Sequence, residues 1–587
     1  MGINGVVTTR STTSRRSGGA SLLYFLALAS FACGKGGGAD AGADGASSAS
    51  SAASLSSVAI PVPAMGPDTR TLPKGPALAA IALDVAIYEK PSKTSKKIGV
   101  LRLGAVVGRD DGQAGTEGCP GGWYKIAPRG YVCTAADEAT TDVNHPLARA
   151  ASVRPDTTKP LPYAYGFVRA VAPQYLRVPT REDQLKSEFK LEDHLNKFKE
   201  HGSEWQKVTL GANDVELPGK PAPAKKSTDL ALGQLFGAQG DFDPIPFWLQ
   251  NGRAVPNVSS FKVPPASVFA NRVRRHTGLA FLGAFKASPE AFGRPFAITT
   301  DLRLIPTTKV KPDTGSPWHG VEVDDKLPVP FAFVRKKCEK DKDACPATYR
   351  IEGDEAHKVK SLPFRSTVKL TGKGKSVGKT RYREIEGGLW VKASDTGSVF
   401  EPSEWPKAAA AGEKWIEVSI DNQTLTLWEG KKAVYATLVS TGQDGLGDPK
   451  TTKSTIQGTF RIKNKFVTAT MDSNEKGGGT EPSGPEKDKG DKSEKKDKGE
   501  EGKTIRRGQG SFELRDVPYV QYFEGAFALH VAYWHDVFGT ARSHGCVNLA
   551  PIDGQRIFSW TDPPMPDSWH GLYVGDPNQG TTVVVHP

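Results

Sequence analysis

The residue types that could do covalent chemistry lie together near the C-terminus, in Ser543-His544-Gly545-Cys546-Val547-Asn548. A thiol with an ordinary pKa of about 8.5 is only a few per cent ionised at neutral pH, so an attacking cysteine needs an imidazole within hydrogen-bond reach. His544 lies two positions before Cys546, and such residues share a face if the segment is extended. His530 follows an apolar run, which predicts a neighbouring strand that carries its ring to the sulfur.

The glycine before the cysteine favours the same chemistry. Because Gly545 has no side chain, a substrate carbonyl could approach the N–H groups of Gly545 and Cys546, which would act as an oxyanion hole. The alternative is a buried structural thiol beside incidental histidines, which is the commoner case for any one cysteine. Ser, His, Gly, Cys and Asn should meet by chance in so short a stretch on the order of once in ten thousand chains of this length, so the joint pattern favours a catalytic thiol.

The stretch resembles the signature of the L,D-transpeptidases (YkuD-type), in which a histidine precedes a Ser/Thr-His-Gly-Cys box that ends in Asn or Arg. The resemblance implies that Cys546 is the nucleophile and that His530 is the general base. It also implies that His544 and Gly545 form the oxyanion site. Asn548 would support the loop, and Ser543 opens the box. The family carries out this chemistry with no cofactor and no metal.

The resemblance extends over residues 413–587. Lys414-Trp415-Ile416-Glu417-Val418-Ser419-Ile420 and Gly458-Thr459-Phe460-Arg461-Ile462 look like opening strands of the family. Two departures stand out. Ile456-Gln457 replaces a common Thr-Pro, and Val531 replaces a common Gly after the base histidine, which affects the carbonyl that orients the imidazole.

The resemblance implies an acyl transfer on peptidoglycan stem peptides. Cys546 would form a thioester with a tetrapeptide stem, release D-alanine and pass the acyl group to an amine, either of a second stem or of a lysine on an envelope protein. Two alternatives remain: hydrolysis of the same bonds, and a non-catalytic protein that only binds the cell wall. A net charge of +12, spread along the chain without a nucleic-acid motif, argues against nucleic acid as a partner.

The N-terminus predicts export to the bacterial envelope. Arginines precede a short apolar run that ends at Cys33, and the run is too short to span a bilayer of about 30 Å. Ser30-Phe31-Ala32-Cys33 resembles a lipoprotein cleavage box, which implies lipidation of Cys33, a membrane anchor and a periplasmic location; ordinary cleavage nearby is the alternative. The general secretion route fits better than the twin-arginine route, because Gly18-Gly19 stand where apolar residues are usual.

Four cysteines remain once Cys33 and Cys546 are set aside, and four allow three pairings. Closeness in sequence favours Cys119–Cys133 and Cys338–Cys345, in a compartment that permits disulfides. The competing interpretation, a zinc site, lacks paired Cys-x-x-Cys or His-x-x-x-His spacing.

The chain of 587 residues is long enough for several domains, and 63 Gly with 43 Pro favour a β-rich, loop-rich protein. The predicted class is mainly β: a β-rich L,D-transpeptidase domain preceded by small SH3-like β-barrels. The predicted segments are a signal peptide (1–33), a disordered tether (34–75), an SH3-like module (76–145), a middle module (150–326), a second SH3-like module (327–406), and the catalytic domain (413–587) with a disordered insertion (472–510).

Three smaller expectations concern single elements. Residues 181–200 are predicted to form one helix whose apolar face includes Leu185 and Phe189. His570 and His586 have no companion residues nearby in the sequence and are expected at the surface. The insertion is interpreted as a tolerated surface segment, with a lid or a wall-contacting arm as the alternative.

Overall fold

The class of the protein is mainly β, with 12% helix and 41% strand, which confirms the predicted class. The computed structural model describes residues 70–205, 243–253, 255–258, 263–264, 266–338, 345–472 and 513–587. The signal peptide with Cys33, nearly all of the tether and nearly all of the insertion lie outside the described residues. No helix within the described ranges has the length and apolar character needed to cross a membrane.

The first module contains seven short strands and one short helix. They are β1 (Ala77–Ala80), β2 (Asp84–Tyr88), β3 (Lys97–Arg102), β4 (Val106–Gly108), β5 (Trp123–Lys125), β6 (Tyr131–Cys133), β7 (Ala139–Thr140) and α1 (Pro146–Ala150). Cys119 and Cys133 form a disulfide with a Cα–Cα distance of 5.7 Å, next to the buried Trp123. Strands β4, β1 and β7 form a small antiparallel sheet, whereas β2, β3, β5 and β6 join a larger one.

The middle module combines eight strands with two helices. They are β8 (Ala164–Val168), β9 (Ala172–Tyr175), α2 (Arg181–Ser187), α3 (Leu191–Trp205), β10 (Phe269–Val273), β11 (Gly278–Lys286), β12 (Pro295–Thr299), β13 (Leu304–Pro306), β14 (Val310–Asp313) and β15 (Val321–Glu322). The prediction of one helix over 181–200 was wrong: α2 ends where Glu188 is extended, with a φ of -117°, and Lys190, with a φ of 52°, separates it from α3. Phe189 is consequently 85% exposed rather than part of an apolar face.

The next module is a single seven-stranded sheet. Its strands are β16 (Phe331–Val334), β17 (Ala347–Glu352), β18 (Glu355–Ser361), β19 (Thr367–Val377), β20 (Thr380–Ile385), β21 (Trp390–Lys392) and β22 (Thr396–Val399). They are ordered β18-β17-β21-β20-β19-β16-β22. Cys338 and Cys345 form a disulfide beside this sheet. Whether this segment and residues 76–145 are SH3-like barrels stays a prediction.

The C-terminal domain packs two sheets against each other. Its elements are α4 (Lys407–Ala410), β23 (Lys414–Ser419), β24 (Thr424–Glu429), β25 (Lys432–Leu438), β26 (Gly458–Arg461), β27 (Asn464–Asp472), β28 (Glu513–Glu524), β29 (Phe527–Val531), β30 (Val547–Leu549), α5 (Pro551–Trp560), β31 (Gly571–Tyr573) and β32 (Thr582–His586). One sheet is ordered β15-β25-β24-β23-β32-β26. Apolar side chains of β23, β24 and β32 meet those of β29 and β30 in one buried core.

Strands from different modules pair with each other. Strand β31 lies between β27 of the C-terminal domain and β3 of the first module, and β11 of the middle module pairs with β28. Strand β15 adds an edge to the C-terminal sheet beside β25. There the buried Asp553 carboxylate accepts hydrogen bonds from Gly320 N–H at 3.0 Å and from the Tyr435 hydroxyl at 2.6 Å. The modules are therefore connected by backbone pairing, and not only by contacts between side chains.

Candidate active site

The parallel pair β29 and β30 positions the imidazole and the thiol. His530 lies opposite Asn548 in the register. Cys546 directly precedes β30, whose first residue, Val547, is paired with Leu529, the neighbour of His530. Ala528 of β29 and Cys546 pack with the same core cluster.

Cys546 is half-buried and forms no disulfide with the other cysteines of the described residues. Its Sγ lies 3.5 Å from the carbonyl oxygen of Ala526, in the turn before β29. Val547 and Leu549, which alternate with it along β30, are fully buried in the core on the opposite face. Cys546 thus keeps part of its surface exposed, whereas the three residues of β30 that follow it are buried.

His530 is buried, with 3% of its surface exposed, and its protonation state follows from its surroundings. Its Nδ1 lies 3.1 Å from the Val531 carbonyl oxygen, which can only accept, so Nδ1 carries the proton and Nε2 presents a lone pair. Burial lowers the pKa of His530 to about 4, so the ring is neutral at pH 7. The Val531 carbonyl thus orients the imidazole although the family's glycine is absent. A neutral ring with a free lone pair is suited to accept a thiol proton.

The box itself bends instead of running extended. Residues 544–546 form a bend, so the spacing of two positions does not align His544 with Cys546 as it would in a strand. The hydroxyl of Ser543 closes the bend: it donates to the Cys546 carbonyl oxygen and accepts from Gly545 N–H at 3.1 Å. Because the Gly545 N–H is engaged with Ser543, it would have to exchange that bond to act in an oxyanion hole.

His544 lies on the solvent side of the bend and is exposed. Partial burial, aided by the positive charge of Lys453, lowers the pKa of His544, whereas the carboxylate of Asp444 acts in the opposite direction. Lys453 and Asp444 belong to the loop between β25 and β26. The structure thus sets the two imidazoles in different surroundings, His530 in the interior and His544 at the rim.

A second buried histidine supports Asn548. The Val537 N–H donates to Nδ1 of His535 at 3.4 Å, and burial holds the pKa of His535 well below its ordinary value, so the proton is on Nε2. The side-chain amide nitrogen of Asn548 lies 3.0 Å from Nε2 of His535. Because Nε2 carries the proton, the amide must be turned so that its oxygen accepts the hydrogen bond from Nε2. In that orientation the NH₂ group of Asn548 lies at the position of its Oδ1, an atom that has no hydrogen-bond partner within the described residues. The sequence pattern predicted no role for His535.

Residues from outside the C-terminal domain hold the segment that follows β29. Asp536 accepts hydrogen bonds from the Ser316 hydroxyl and the Arg365 guanidinium, and Arg365 also donates to the Asp536 carbonyl oxygen at 3.3 Å. The Arg365 guanidinium lies 4.8 Å from the centre of the Trp318 ring. No local sequence pattern indicates these contacts, because the residues are far apart in the chain.

His570 and His586, the two histidines that were expected at the surface, differ in burial. His570 is 4% exposed, so its predicted surface position was wrong. Its Nε2 lies 3.0 Å from the Thr468 carbonyl oxygen, and the pKa of His570 is lowered to about 4 by burial. His586 is half-exposed and lies 3.0 Å from the Glu417 carboxylate.

Across the described part of the chain, no group of three or more His, Cys, Asp or Glu side chains could hold a metal ion.

Comparison with known proteins gives a family for one part of the chain. Residues 413–585 match the family model of the L,D-transpeptidase catalytic domain, YkuD. No curated protein matches the sequence.

Several solved structures are similar to the chain at low identity. The catalytic domain of the E. faecium L,D-transpeptidase is 19% identical over 30% of this chain and 98% of that chain, with a TM-score of 0.19. An L,D-transpeptidase from Mycobacterium smegmatis is 18% identical over 38% of this chain and 82% of that chain, with a TM-score of 0.20. One from Xylanimonas cellulosilytica is 19% identical over 32% of this chain and 64% of that chain, with a TM-score of 0.18. By the match to the family model, residues 413–585 are a YkuD-type L,D-transpeptidase catalytic domain.

Proposed function

We propose that the protein is a peptidoglycan L,D-transpeptidase with Cys546 as nucleophile and His530 as general base. The observation that carries the proposal is the parallel pairing of β29, which contains the neutral His530, with β30, which begins directly after Cys546. The family match of residues 413–585 supplies the substrate class, which is the stem peptide of peptidoglycan.

The reaction runs in two halves. In the first, Nε2 of His530 takes the thiol proton as Sγ of Cys546 attacks the carbonyl between the L-centre of the diamino acid and the terminal D-alanine. The C–N bond breaks, the proton passes to the departing D-alanine amine, and a thioester remains. In the second, an acceptor amine attacks the thioester, His530 takes its proton and returns it to the sulfur, and the C–S bond breaks. The acceptor is a second stem or a lysine of an envelope protein.

The other site residues support these steps. Ser543 holds the bend through its bonds to Gly545 and Cys546, and Asn548 is fixed by His535. His544 and Gly545 border the position where the oxyanion would form.

The same proposal places the enzyme in the periplasm, anchored through lipidated Cys33, with residues 76–145 and 327–406 as SH3-like modules that hold it near the wall. Membrane fractionation tests the anchor: a Cys33→Ala protein should move to the soluble fraction. Retention of this variant in the membrane would remove the lipid from the proposal.

Incubation of the purified protein with tetrapeptide muropeptides, followed by mass spectrometry, tests the activity. Cross-linked dimers and free D-alanine are expected, and both should be lost with Cys546→Ala. Shortened monomers without dimers would instead indicate hydrolysis. Binding without conversion would indicate a wall-binding protein and would refute catalysis.

A further inference from the structure

Lys453 lies at the rim of the catalytic loop. The loop that carries it is tied to the box by a backbone bridge between Gly442 and Ser543. A Cβ atom placed on Gly545 would lie 3.4 Å from the carbonyl oxygen of Ser454, the residue after Lys453. Ser454, the neighbour of Lys453 in the chain, therefore lies next to Gly545, the glycine that precedes Cys546.

The side chain of Lys453 carries an ammonium group near His544. It forms no ion pair with any side chain in the described ranges, and its positive charge contributes to the lowered pKa of the neighbouring His544. Asp444, an acidic residue of the same loop, uses its carboxylate to accept the backbone N–H of Lys453 at 2.7 Å. Asp444 thus shapes the loop and leaves the Lys453 ammonium available.

Two other ionisable groups near the thiol add no net charge to the site. The Asp536 carboxylate is paired with the Arg365 guanidinium, and His530 is neutral at pH 7. The ammonium group of Lys453 therefore adds a positive charge to the rim next to Cys546, and this charge attracts an anionic group of the substrate and repels a cationic one.

We propose that Lys453 forms a carboxylate subsite, in which its ammonium binds the C-terminal carboxylate of the donor stem peptide, one residue beyond the bond that Cys546 attacks. This inference rests on the proposed function. One residue separates the scissile carbonyl from the terminal carboxylate, a distance of about 3.8 Å. A lysine side chain is a flexible four-carbon stem with a compact charge, so a residue at the rim can reach that position. The subsite would select donors that end directly after the scissile bond.

The test compares two donors that differ only at this carboxylate: a tetrapeptide stem with a free C-terminal carboxylate and the same stem with a C-terminal amide. The full-length protein, its Lys453→Gln variant and its Lys450→Gln variant are assayed for thioester formation and product. Lys450 is exposed and lies in the same loop, so it controls for a general loss of positive charge. The wild type should prefer the free carboxylate by about tenfold in kcat/KM, the size expected for one charge-assisted hydrogen bond.

The Lys453→Gln variant should lose that preference, so that the ratio of the two kcat/KM values approaches one, whereas Lys450→Gln should keep it. The wild-type preference should also shrink as salt is added. Equal treatment of the two donors by the wild type, or an equal loss on both donors in Lys453→Gln, would overturn the subsite.

Binding separates this inference from the proposed function. In a Cys546→Ala background, calorimetry should show about tenfold tighter binding of the free carboxylate than of the amide, and this difference should disappear when Lys453→Gln is added. Absence of the difference would refute the subsite even if the enzyme turns over. An enzyme that fails to turn over, or that turns over without Cys546, would refute the proposed function whatever the binding shows.

Discussion

The two imidazoles of the site differ in what they can do, and the cause is their surroundings. His530 has its Nδ1 proton directed to the Val531 carbonyl and a pKa lowered to about 4, so it is neutral and can accept a proton over the whole physiological range. His544 is exposed at the rim, next to the charge of Lys453. Because His530 with such a low pKa is not protonated at neutral pH, a resting ion pair between a Cys546 thiolate and a His530 imidazolium is not favoured. General-base attack, in which the proton moves as the sulfur attacks, fits the geometry better.

Replacement of His530 should therefore have a larger effect than replacement of His544. His530→Gln is expected to slow thioester formation by roughly a hundredfold to ten-thousandfold, the usual contribution of a positioned general base. His544→Gln is expected to lose less than about tenfold. The measurement is the rate of acylation of Cys546 followed by intact-protein mass spectrometry. A larger loss in His544→Gln than in His530→Gln would transfer the role of base to His544.

The pH dependence of the free wild-type enzyme follows from the same pKa. Protonated His530 cannot accept the thiol proton, so kcat/KM for acylation should rise with pH through about 4 and be independent of pH from about 5 to 7. An acid limb near 6.5, the ordinary pKa of histidine, would show that the buried neutral ring of His530 is not the base.

At the scale of elements, the bend before β30 decides where the thiol points. Gly545 has a φ of 129°, a conformation that side chains disfavour, and a Cβ there would lie 2.8 Å from the Phe527 ring. The bend brings the backbone of the box against β29 and so sets the distance between Cys546 and His530. Glycine is required at this position by both conformation and space.

Gly545→Ala should lower both stability and activity. Strain and the collision with Phe527 together are expected to cost about 2–4 kcal/mol in urea unfolding. Gly378→Ala is the matched control: its φ of 56° is also positive, but nothing lies within 4 Å of the added Cβ, so only strain of about 1 kcal/mol is expected. Adding Phe527→Leu to Gly545→Ala should restore part of the loss. Equal effects of Gly545→Ala and Gly378→Ala would show that the contact with Phe527 is unimportant.

At the scale of the whole molecule, the modules share sheets. Strand β3 pairs with β31, and the approach is close enough that a Cβ on Gly99 would lie 2.3 Å from the Trp569 ring and 2.9 Å from the Gly571 carbonyl oxygen. Because β31 also pairs with β27, the first module is continuous with the C-terminal domain. Contacts of Ser316 and Arg365 with Asp536 attach further parts of the chain to the segment after His530.

Gly99→Ala is expected to separate the first module from the C-terminal domain. The backbone oxygen of Gly571 cannot move aside easily, so the cost should be about 1–3 kcal/mol, and protease cleavage between the two should increase. Gly108→Ala is the control, because its added Cβ would meet its nearest neighbour, Pro73, at an ordinary 3.7 Å. Unchanged proteolysis in Gly99→Ala would mean that the β3–β31 pairing does not hold the modules together.

Acid should destabilise the fold through its buried histidines. His530, His535 and His570 all have pKa values lowered by burial, so the folded state binds fewer protons than the unfolded state between about pH 6.5 and pH 4. Stability present above pH 6.5 is therefore lost as pH falls, by on the order of 1 kcal/mol per pH unit for each ring. Thermal unfolding measured from pH 7 to pH 4.5 should show the decline, and His570→Asn should reduce its slope. A flat profile would contradict the buried neutral rings.

Local patterns account for what the sequence predicted correctly. The alternation of apolar residues in Lys414–Ser419 and Thr582–His586 is a property of a few adjacent residues, and so is the box around Cys546. The mainly β class and the catalytic domain at residues 413–585 could be read from such patterns. The break at Lys190 could not, because a single left-handed residue leaves the apolar periodicity of the surrounding segment unchanged.

The sequence by itself determined which residue types stand near the thiol, that the chain is rich in strands, and which family its last third matches. Only the tertiary structure decided that His530 is neutral, that His544 faces solvent, that His570 is buried and that Arg365 holds Asp536. The physical reason is that strand pattern and motif depend on neighbours in the chain, whereas burial, proton position and charge compensation depend on groups brought together from distant segments. A pKa or an ion pair has no local signature until folding has set its partners.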